Sequence, residues 1–269
     1  MVEKIPVLIV GAGPCGLTMA ALLQHHNIDF RLIDKRSHIV ETSNALAIHA
    51  RSLEMLDDIG LIDDFIKHGQ RIESFALHDH TEILSTIATQ QIASHYNYIL
   101  SLPQYITEKT LNHHLEKHHH APDRNISLTA LRQHNDIVQV TITDHHQNIS
   151  HIHCRYLIAC DGAHSTVREL LNMKFSGNDL PQQFLVADVS LNNANKSNQA
   201  NVYFDAEGPF GVIPYKSGNA RVIATLNNDH RDPKQPISLL ELRHIAEKRT
   251  SNQVHIADIQ WASTFQIHN

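Results

Sequence analysis

The pattern of apolar and polar positions predicts a strand–helix–strand unit at the start of the chain. Residues 5–10 form a short β-branched apolar run, which is typical of a strand buried in a parallel sheet. Leu17, Ala20 and Ala21 then recur at helical spacing, and residues 30–34 form the next apolar run. Because a glycine-containing turn joins the first run to the helix, we expect a βαβ unit of about 30 residues.

Downstream, the pattern predicts two interleaved halves. Helical periodicity predicts helices over residues 52–59, 62–68, 105–118, 164–171 and 237–248. Strand patterns cover parts of 71–100 and 126–160, and then 184–191, 201–205, 211–215, 220–226 and 254–265. We therefore expect an α/β fold, with a discontinuous nucleotide-binding domain over residues 1–72 and 101–175. A β-rich second domain is expected over residues 73–100 and 176–269.

Composition narrows the class of protein. Of 269 residues, 42% are hydrophobic and 19% are charged, which excludes a wholly disordered chain. The formal net charge of −6 argues against nucleic-acid binding, which needs a basic surface. No apolar run is long enough for a membrane span or a signal peptide, so we expect no membrane association. Three cysteines imply no disulfide framework, and a cytoplasmic location fits that count.

Histidine is unusually abundant, with 23 residues. A local cluster comprises His113, His114, His118, His119 and His120, and His114 and His118 have the i,i+4 spacing of a metal-binding helix face. No nearby cysteine or carboxylate completes a ligand set. We therefore favour a solvated helix face over a metal site.

The turn after the first strand carries a dinucleotide-binding fingerprint, G-x-G-x-x-G, at Gly11, Gly13 and Gly16. The first glycine allows a tight turn, the second lets the backbone approach a pyrophosphate, and the third lets helix and strand pack closely. Asp34 ends the second strand, where its carboxylate can bind a ribose hydroxyl. Cys15, at the helix N-terminus, is either a reactive thiol or a small residue tolerated beside the turn.

A second acidic turn follows the apolar run at residues 156–160. Asp161 and Gly162 lie between this predicted strand and a short predicted helix. Ligands of α/β sheets bind at the carboxyl ends of the strands, so Asp161 is expected to reach the same cleft as the glycine turn. The alternative is an ordinary helix cap.

With both motifs, the chain resembles the FAD-dependent aromatic hydroxylases, the p-hydroxybenzoate hydroxylase-like flavoprotein monooxygenases. Four segments carry the resemblance, in family order. They are the glycine fingerprint with Asp34 and Arg36, the helix start at residues 50–56, the segment Leu102-Pro103-Gln104 with Thr107, Glu108 and Leu111, and the Asp-Gly motif at residues 161–168.

The resemblance implies a Rossmann-like domain that binds FAD and uses NAD(P)H, with an interleaved β-sheet substrate domain. It assigns the FAD pyrophosphate to the glycine turn, the adenosine ribose to Asp34, and the flavin half or its phosphates to Arg51 and Gln104. Asp161 would contact the ribityl or pyrophosphate portion. The cofactor-binding residues implied in total are Gly11, Gly13, Pro14, Cys15, Gly16, Asp34, Lys35, Arg36, Arg51, Gln104, Asp161 and Gly162. It also places residues 210–214 on a strand of the substrate-domain sheet.

The implied activity is hydroxylation of a small phenolic substrate with NAD(P)H and O₂. No catalytic base can be selected from the sequence. A second FAD segment of the family, Gly-Asp-Ala-Ala-His, does not occur here, so we expect the C-terminal part of the fold to be missing and a homo-oligomer or a completing chain to be possible. The alternatives are an FAD-dependent oxidoreductase acting on a non-aromatic substrate, and a non-catalytic nucleotide-binding fragment.

Overall fold

A computed structural model describes residues 2–41, 45–79, 81–192, 197–226 and 236–268. The helices are α1 (Pro14–His25), α2 (Ala50–Asp58), α3 (Ile62–His68), α4 (Gln104–Lys117), α5 (Thr166–Leu170) and α6 (Leu239–Arg249). The first eight strands are β1 (Glu3–Val10), β2 (Phe30–Asp34), β3 (Ala47–Ile48), β4 (Gln70–Ile72), β5 (Ser74–Asp79), β6 (Glu82–Ala88), β7 (Ile99–Ser101) and β8 (Asp123–Arg124). The others are β9 (Ile126–His134), β10 (Ile137–Asp144), β11 (Ile149–Ala159), β12 (Asp179–Leu191), β13 (Gln199–Phe204), β14 (Phe210–Tyr215), β15 (Asn219–Leu226) and β16 (Ile256–His268).

The chain divides into two compact units, each assembled from two segments. The first unit comprises Met1–Ser43 and Gln104–Ser176, and the second comprises Asn44–Pro103 and Gly177–Asn269. The α/β fold class is confirmed. In the part of the chain that the structure describes, no helix is long and apolar enough to cross a membrane.

The first unit contains a six-stranded sheet in the order β8-β2-β1-β11-β10-β9. The first four of these strands are mutually parallel. The next strand, β10, pairs antiparallel with β11, and β9 pairs antiparallel with β10. Val10 pairs with Ile33 on one side and with Ala159 on the other, so β1, β2 and β11 end at the same edge. Residues 7–10 of β1 are all buried, because parallel strands are covered on both faces.

The helix α1 buries Leu17, Ala20 and Ala21, and α4 packs beside it. On α4, the buried apolar side chains are Leu111 and Leu115. The fingerprint turn therefore sits at the carboxyl end of a rigid strand and leads directly into a buried helix, which fixes its geometry.

The second unit contains a seven-stranded sheet in the order β16-β12-β15-β14-β13-β5-β6 and a three-stranded sheet in the order β3-β7-β4. The predicted placing of residues 210–214 on a strand of the larger sheet is confirmed, since they lie within β14. Leu242 and Ala246 of α6 are fully buried in one core cluster with Leu185 and Val222 of the sheet.

The division into units differs from the predicted domains at residues 44–72 and 101–103. The sequence pattern assigned them to the nucleotide-binding domain, whereas the structure groups them with the second unit. The physical reason is strand pairing over long sequence distances. Ala47 pairs with Ser101 and Ile72 pairs with Ile99, so β3, β4 and β7 form one sheet.

Candidate functional site

The glycine turn is held at the carboxyl edge of the first unit's sheet. The amide of Gly11 donates to the carbonyl oxygen of Ile33 at 2.8 Å, and Gly11 adopts a φ of +102°. A Cβ at Gly11 would lie 2.4 Å from the carbonyl oxygen of Cys160, and one at Gly16 would lie 1.8 Å from that of Gly11. Only glycine fits at either position, so the turn after β1, the start of α1 and the turn after β11 pack directly on one another.

The N-terminus of α1 presents backbone donors at this edge. Gly13 occupies the N-cap position without a capping side chain, and Pro14 is the first helical residue. The first intrahelical bond runs from the Leu17 amide to the Gly13 carbonyl at 2.9 Å, so the amides of Cys15 and Gly16 precede the helical ladder. Together with the helix dipole, these amides form a cradle for an anion such as a pyrophosphate.

The acidic turn after β11 abuts the glycine turn. The Cys160 amide donates to the Val10 carbonyl at 2.8 Å, which extends the parallel pairing of β1 and β11. Asp161 accepts from the Ser165 hydroxyl at 2.7 Å and from the Val167 amide at 3.0 Å. Asp161 therefore stabilises the start of α5, as the capping alternative predicts, while it stands beside Gly11 as the dinucleotide interpretation predicts.

Asp34 is almost completely buried, with 5% exposure, and its carboxylate organises the turn. Its Oδ2 accepts from the Ala12 amide at 2.6 Å, and its Oδ1 accepts from the Arg36 amide at 2.7 Å. The Arg36 guanidinium adds two bonds, from Nε at 3.2 Å and from Nη2 at 3.1 Å. Burial by itself raises the pKa of Asp34, but the hydrogen bonds from Arg36 and Ala12 outweigh it and hold that pKa below its ordinary value.

Two charged residues that sequence reasoning did not assign to the site complete this network. Arg124 places Nη1 3.8 Å from Asp34 Oδ2, and burial lowers the pKa of Arg124. Glu108 is 2% exposed, with its Oε2 3.8 Å from Arg36 Nη1. The i,i+4 spacing of Gln104 and Glu108 could have indicated Glu108, because the Gln104 amide donates to the Glu108 carboxylate at 2.9 Å. No sequence signal indicates Arg124, because β8 has only two residues.

The remaining predicted site residues differ in their placement. Gln104 begins α4 and connects through Glu108 to the Arg36 network. Lys35 and Gly162 are exposed, and Gly162 has a φ of +80°. Arg51 belongs to the second unit, where it pairs with Glu54 at 3.1 Å. The first unit therefore brings together all of the predicted cofactor-binding residues except Arg51.

An open groove of about 650 Å³ lies beside the acidic turn, within the first unit. Its lining is mainly apolar and includes both free thiols of this region, on Cys15 and Cys160, as well as Asp161, Val167, Leu171 and Phe175.

The histidine cluster forms no metal site in the described residues, where no group of three or more histidine, cysteine, aspartate or glutamate side chains could hold an ion. The ring of His114 instead contacts Gln24 of α1 at 3.1 Å and lies against the ring of His118.

Comparisons with known proteins agree with this geometry. The family model of the FAD binding domain matches residues 4–269. The rifampicin monooxygenase of Streptomyces venezuelae is 27% identical over 262 residues, which cover 96% of this chain and 53% of that protein. The pentachlorophenol 4-monooxygenase of Sphingobium chlorophenolicum is 30% identical over 221 residues, which cover 81% of this chain and 41% of that protein. The chain thus spans about half the length of the curated relatives it matches.

Among solved structures, the p-nitrophenol 4-monooxygenase of Pseudomonas putida superposes with a TM-score of 0.84 at 22% identity. The superposition covers 99% of this chain and 69% of that one. At this identity the similarity establishes the fold.

Proposed function

The chain belongs to the FAD binding domain family, and from that premise we propose that it acts in an FAD-dependent monooxygenase that hydroxylates a phenolic substrate with NAD(P)H and O₂. The observation that carries the proposal is the contact between the two turns. A Cβ on Gly11 would lie 2.9 Å from the Cα of Asp161, so the glycine cradle and the acidic turn face one ligand-sized region at one sheet edge.

The residues present fit an FAD molecule. The amides of Cys15 and Gly16 would hold the pyrophosphate, because they precede the helical ladder at a positive helix terminus. A Cβ on Gly13 would have no neighbour closer than Arg36 Nη2 at 3.9 Å, so a phosphate can approach the backbone there. Bound FAD would supply the hydride and oxygen chemistry, and the protein would supply position and exclusion of water.

Asp34 would bind the adenosine ribose by replacing one of its hydrogen bonds from the Arg36 guanidinium with one from a ribose hydroxyl. The four donors that already reach its two oxygens match the roughly four acceptor positions of a carboxylate. A ribose hydroxyl can therefore donate to Asp34 only if the Arg36 guanidinium moves away from one acceptor position, because the two backbone amides are fixed by the turn. Arg36 would then be free to contact the nucleotide.

Support for an aromatic substrate comes from the relatives. Two of them are named for phenols, pentachlorophenol and p-nitrophenol, and the remaining relative described above is also a monooxygenase. For this chain we propose the same substrate class. Gln104 and Arg51 are proposed to contact the flavin half of the cofactor.

The experiment has two stages. The first measures FAD binding by quenching of flavin fluorescence and by retention of flavin absorbance through gel filtration. The second measures NAD(P)H oxidation with a panel of phenols, using the methyl ether of each phenol and an alkene as matched controls. We expect FAD to bind, and phenols but not ethers to stimulate oxidation and gain one oxygen atom. Binding of FAD without any substrate-stimulated oxidation would instead support a nucleotide-binding module, and stimulation by the alkene alone would support a non-aromatic substrate.

A further inference from the structure

Two of the three cysteines lie together beside the proposed pyrophosphate cradle. Cys15 is exposed and Cys160 is partly buried, and both line the apolar groove next to Asp161. A Cβ built on Gly16, the residue that follows Cys15, would lie 3.2 Å from the Cβ of Cys160. The start of α1 therefore packs closely against Cys160, although the two cysteines are 145 positions apart in sequence.

The two thiols have different environments. Cys15 is the second residue of the twelve-residue α1, and its side chain is exposed, so an oxidant in solution reaches it first. Burial raises the pKa of the Cys160 thiol, and its electrostatic interactions with Cys15 and Asp161 raise it further. An exposed thiol thus stands beside a partly buried thiol, which is the arrangement of an attacking and a resolving cysteine.

We propose that Cys15 and Cys160 form a redox-sensitive thiol pair, which a peroxide oxidises to an intramolecular disulfide, and that bound FAD protects the pair. The first part stands on the positions of the two cysteines alone. The protection by FAD rests on the proposed function, because it requires the pyrophosphate to lie at the amides of Cys15 and Gly16.

The oxidation consumes one molecule of hydrogen peroxide. The Cys15 sulfur attacks one peroxide oxygen, so that an S–O bond forms and the O–O bond breaks, and the departing hydroxide takes up the proton of the Cys15 thiol to give water. The Cys160 sulfur then attacks the sulfur of the Cys15 sulfenic acid, so that the S–S bond forms and the S–O bond breaks. The Cys160 proton leaves with the hydroxyl group as a second water. Two thiols are oxidised by two electrons in total, and the peroxide is reduced by two.

Bound FAD would slow the first step for two reasons. An anionic pyrophosphate at the amides of Cys15 and Gly16 would cover the approach to the Cys15 sulfur. It would also fill space that the peroxide must enter to react there. We expect at least a tenfold slower formation of the disulfide when the full chain is saturated with FAD.

The test exposes the reduced full chain to hydrogen peroxide with and without FAD, blocks remaining thiols with an alkylating reagent, and maps the peptides by mass spectrometry. We expect a Cys15–Cys160 cross-link that has lost two hydrogens, is reversed by dithiothreitol, and is absent from Cys15→Ser and Cys160→Ser. Cys154, which is 2% exposed, serves as the internal control and should remain a thiol.

Three results would overturn the proposal. They are a Cys15 that oxidises only to sulfinic acid, a cross-link through Cys154, and no reaction of Cys15 at all. Peptide mapping of the wild-type chain decides among them even if a serine variant fails to fold. If the disulfide forms at the same rate with and without FAD, the proposed protection by FAD is refuted. The fluorescence titration shows separately whether FAD binds.

Discussion

Replacing Gly13 with alanine should weaken FAD binding while leaving the free energy of unfolding nearly unchanged. Gly13 has φ −81° and ψ −173°, which an alanine adopts without strain. Its Cβ would meet only Arg36 Nη2, at 3.9 Å, an ordinary van der Waals contact. We therefore expect the free energy of unfolding to change by less than about 1 kcal/mol.

The same methyl group would stand on the surface that a pyrophosphate must approach. We expect FAD affinity to fall by about tenfold to a hundredfold, equivalent to roughly 1.4–2.7 kcal/mol of binding free energy. Fluorescence titration measures the affinity, and urea unfolding measures the stability. Gly13→Ala with wild-type stability and wild-type affinity would refute the placing of the pyrophosphate at this turn.

Gly16→Ala is the matched control, because the two glycines are three residues apart in one turn. Its Cβ would lie 1.8 Å from the Gly11 carbonyl oxygen, in the backbone rather than at the ligand surface. This variant is expected to lose about 3 kcal/mol of folding stability. A stable Gly16→Ala would contradict the close packing of α1 on the turn.

Three further substitutions test the packing around the site and in the second unit. The lowered pKa of Asp34 means that the wild type loses stability as pH falls below about 4, and Asp34→Asn should lack this contribution. In urea unfolding at a series of pH values, the free energy of unfolding should therefore fall less steeply at acid pH in the variant, and equal slopes would refute this. Arg221→Met leaves the carboxylate of Asp188 buried without the guanidinium that binds it at 2.8 and 2.9 Å, and should lower the free energy of unfolding in urea by about 3–5 kcal/mol. Adding Asp188→Leu should recover most of this loss, and a loss under about 1 kcal/mol would contradict burial of the pair. Ser165→Ala removes the cap that accepts from the Arg168 amide and should cost about 1 kcal/mol in thermal unfolding, with threonine restoring it; no loss, or no rescue, would count against the cap.

Local sequence patterns predicted the part of the site that local chemistry determines. The β-branched run of β1, the three fingerprint glycines and the apolar stripe of α1 all belong to one short stretch, and the structure has them in the predicted elements. The family resemblance built on the four segments is confirmed by the FAD binding domain match. Residue roles in cofactor binding stay predictions.

Long-range contacts account for what the sequence did not reveal. Arg124 reaches Asp34 because the two-residue strand β8 pairs with the end of β2, and such a short strand has no periodicity. The sheet of β3, β7 and β4 joins residues more than 20 positions apart, so a pattern read along the chain could not assign residues 44–72 to the second unit. The bond from the Ala12 amide to Asp34 likewise depends on the register of β1 and β2, which neither strand encodes alone.

Hydrogen–deuterium exchange of the chain with and without FAD tests most directly whether the two turns serve one dinucleotide. Amides of the glycine turn at residues 11–16 and of the acidic turn at residues 160–165 would be followed as the FAD concentration is raised. Because one FAD molecule would cover both turns, both segments should gain protection with the same half-saturating FAD concentration. Protection of only one segment, or of both at different concentrations, would contradict it.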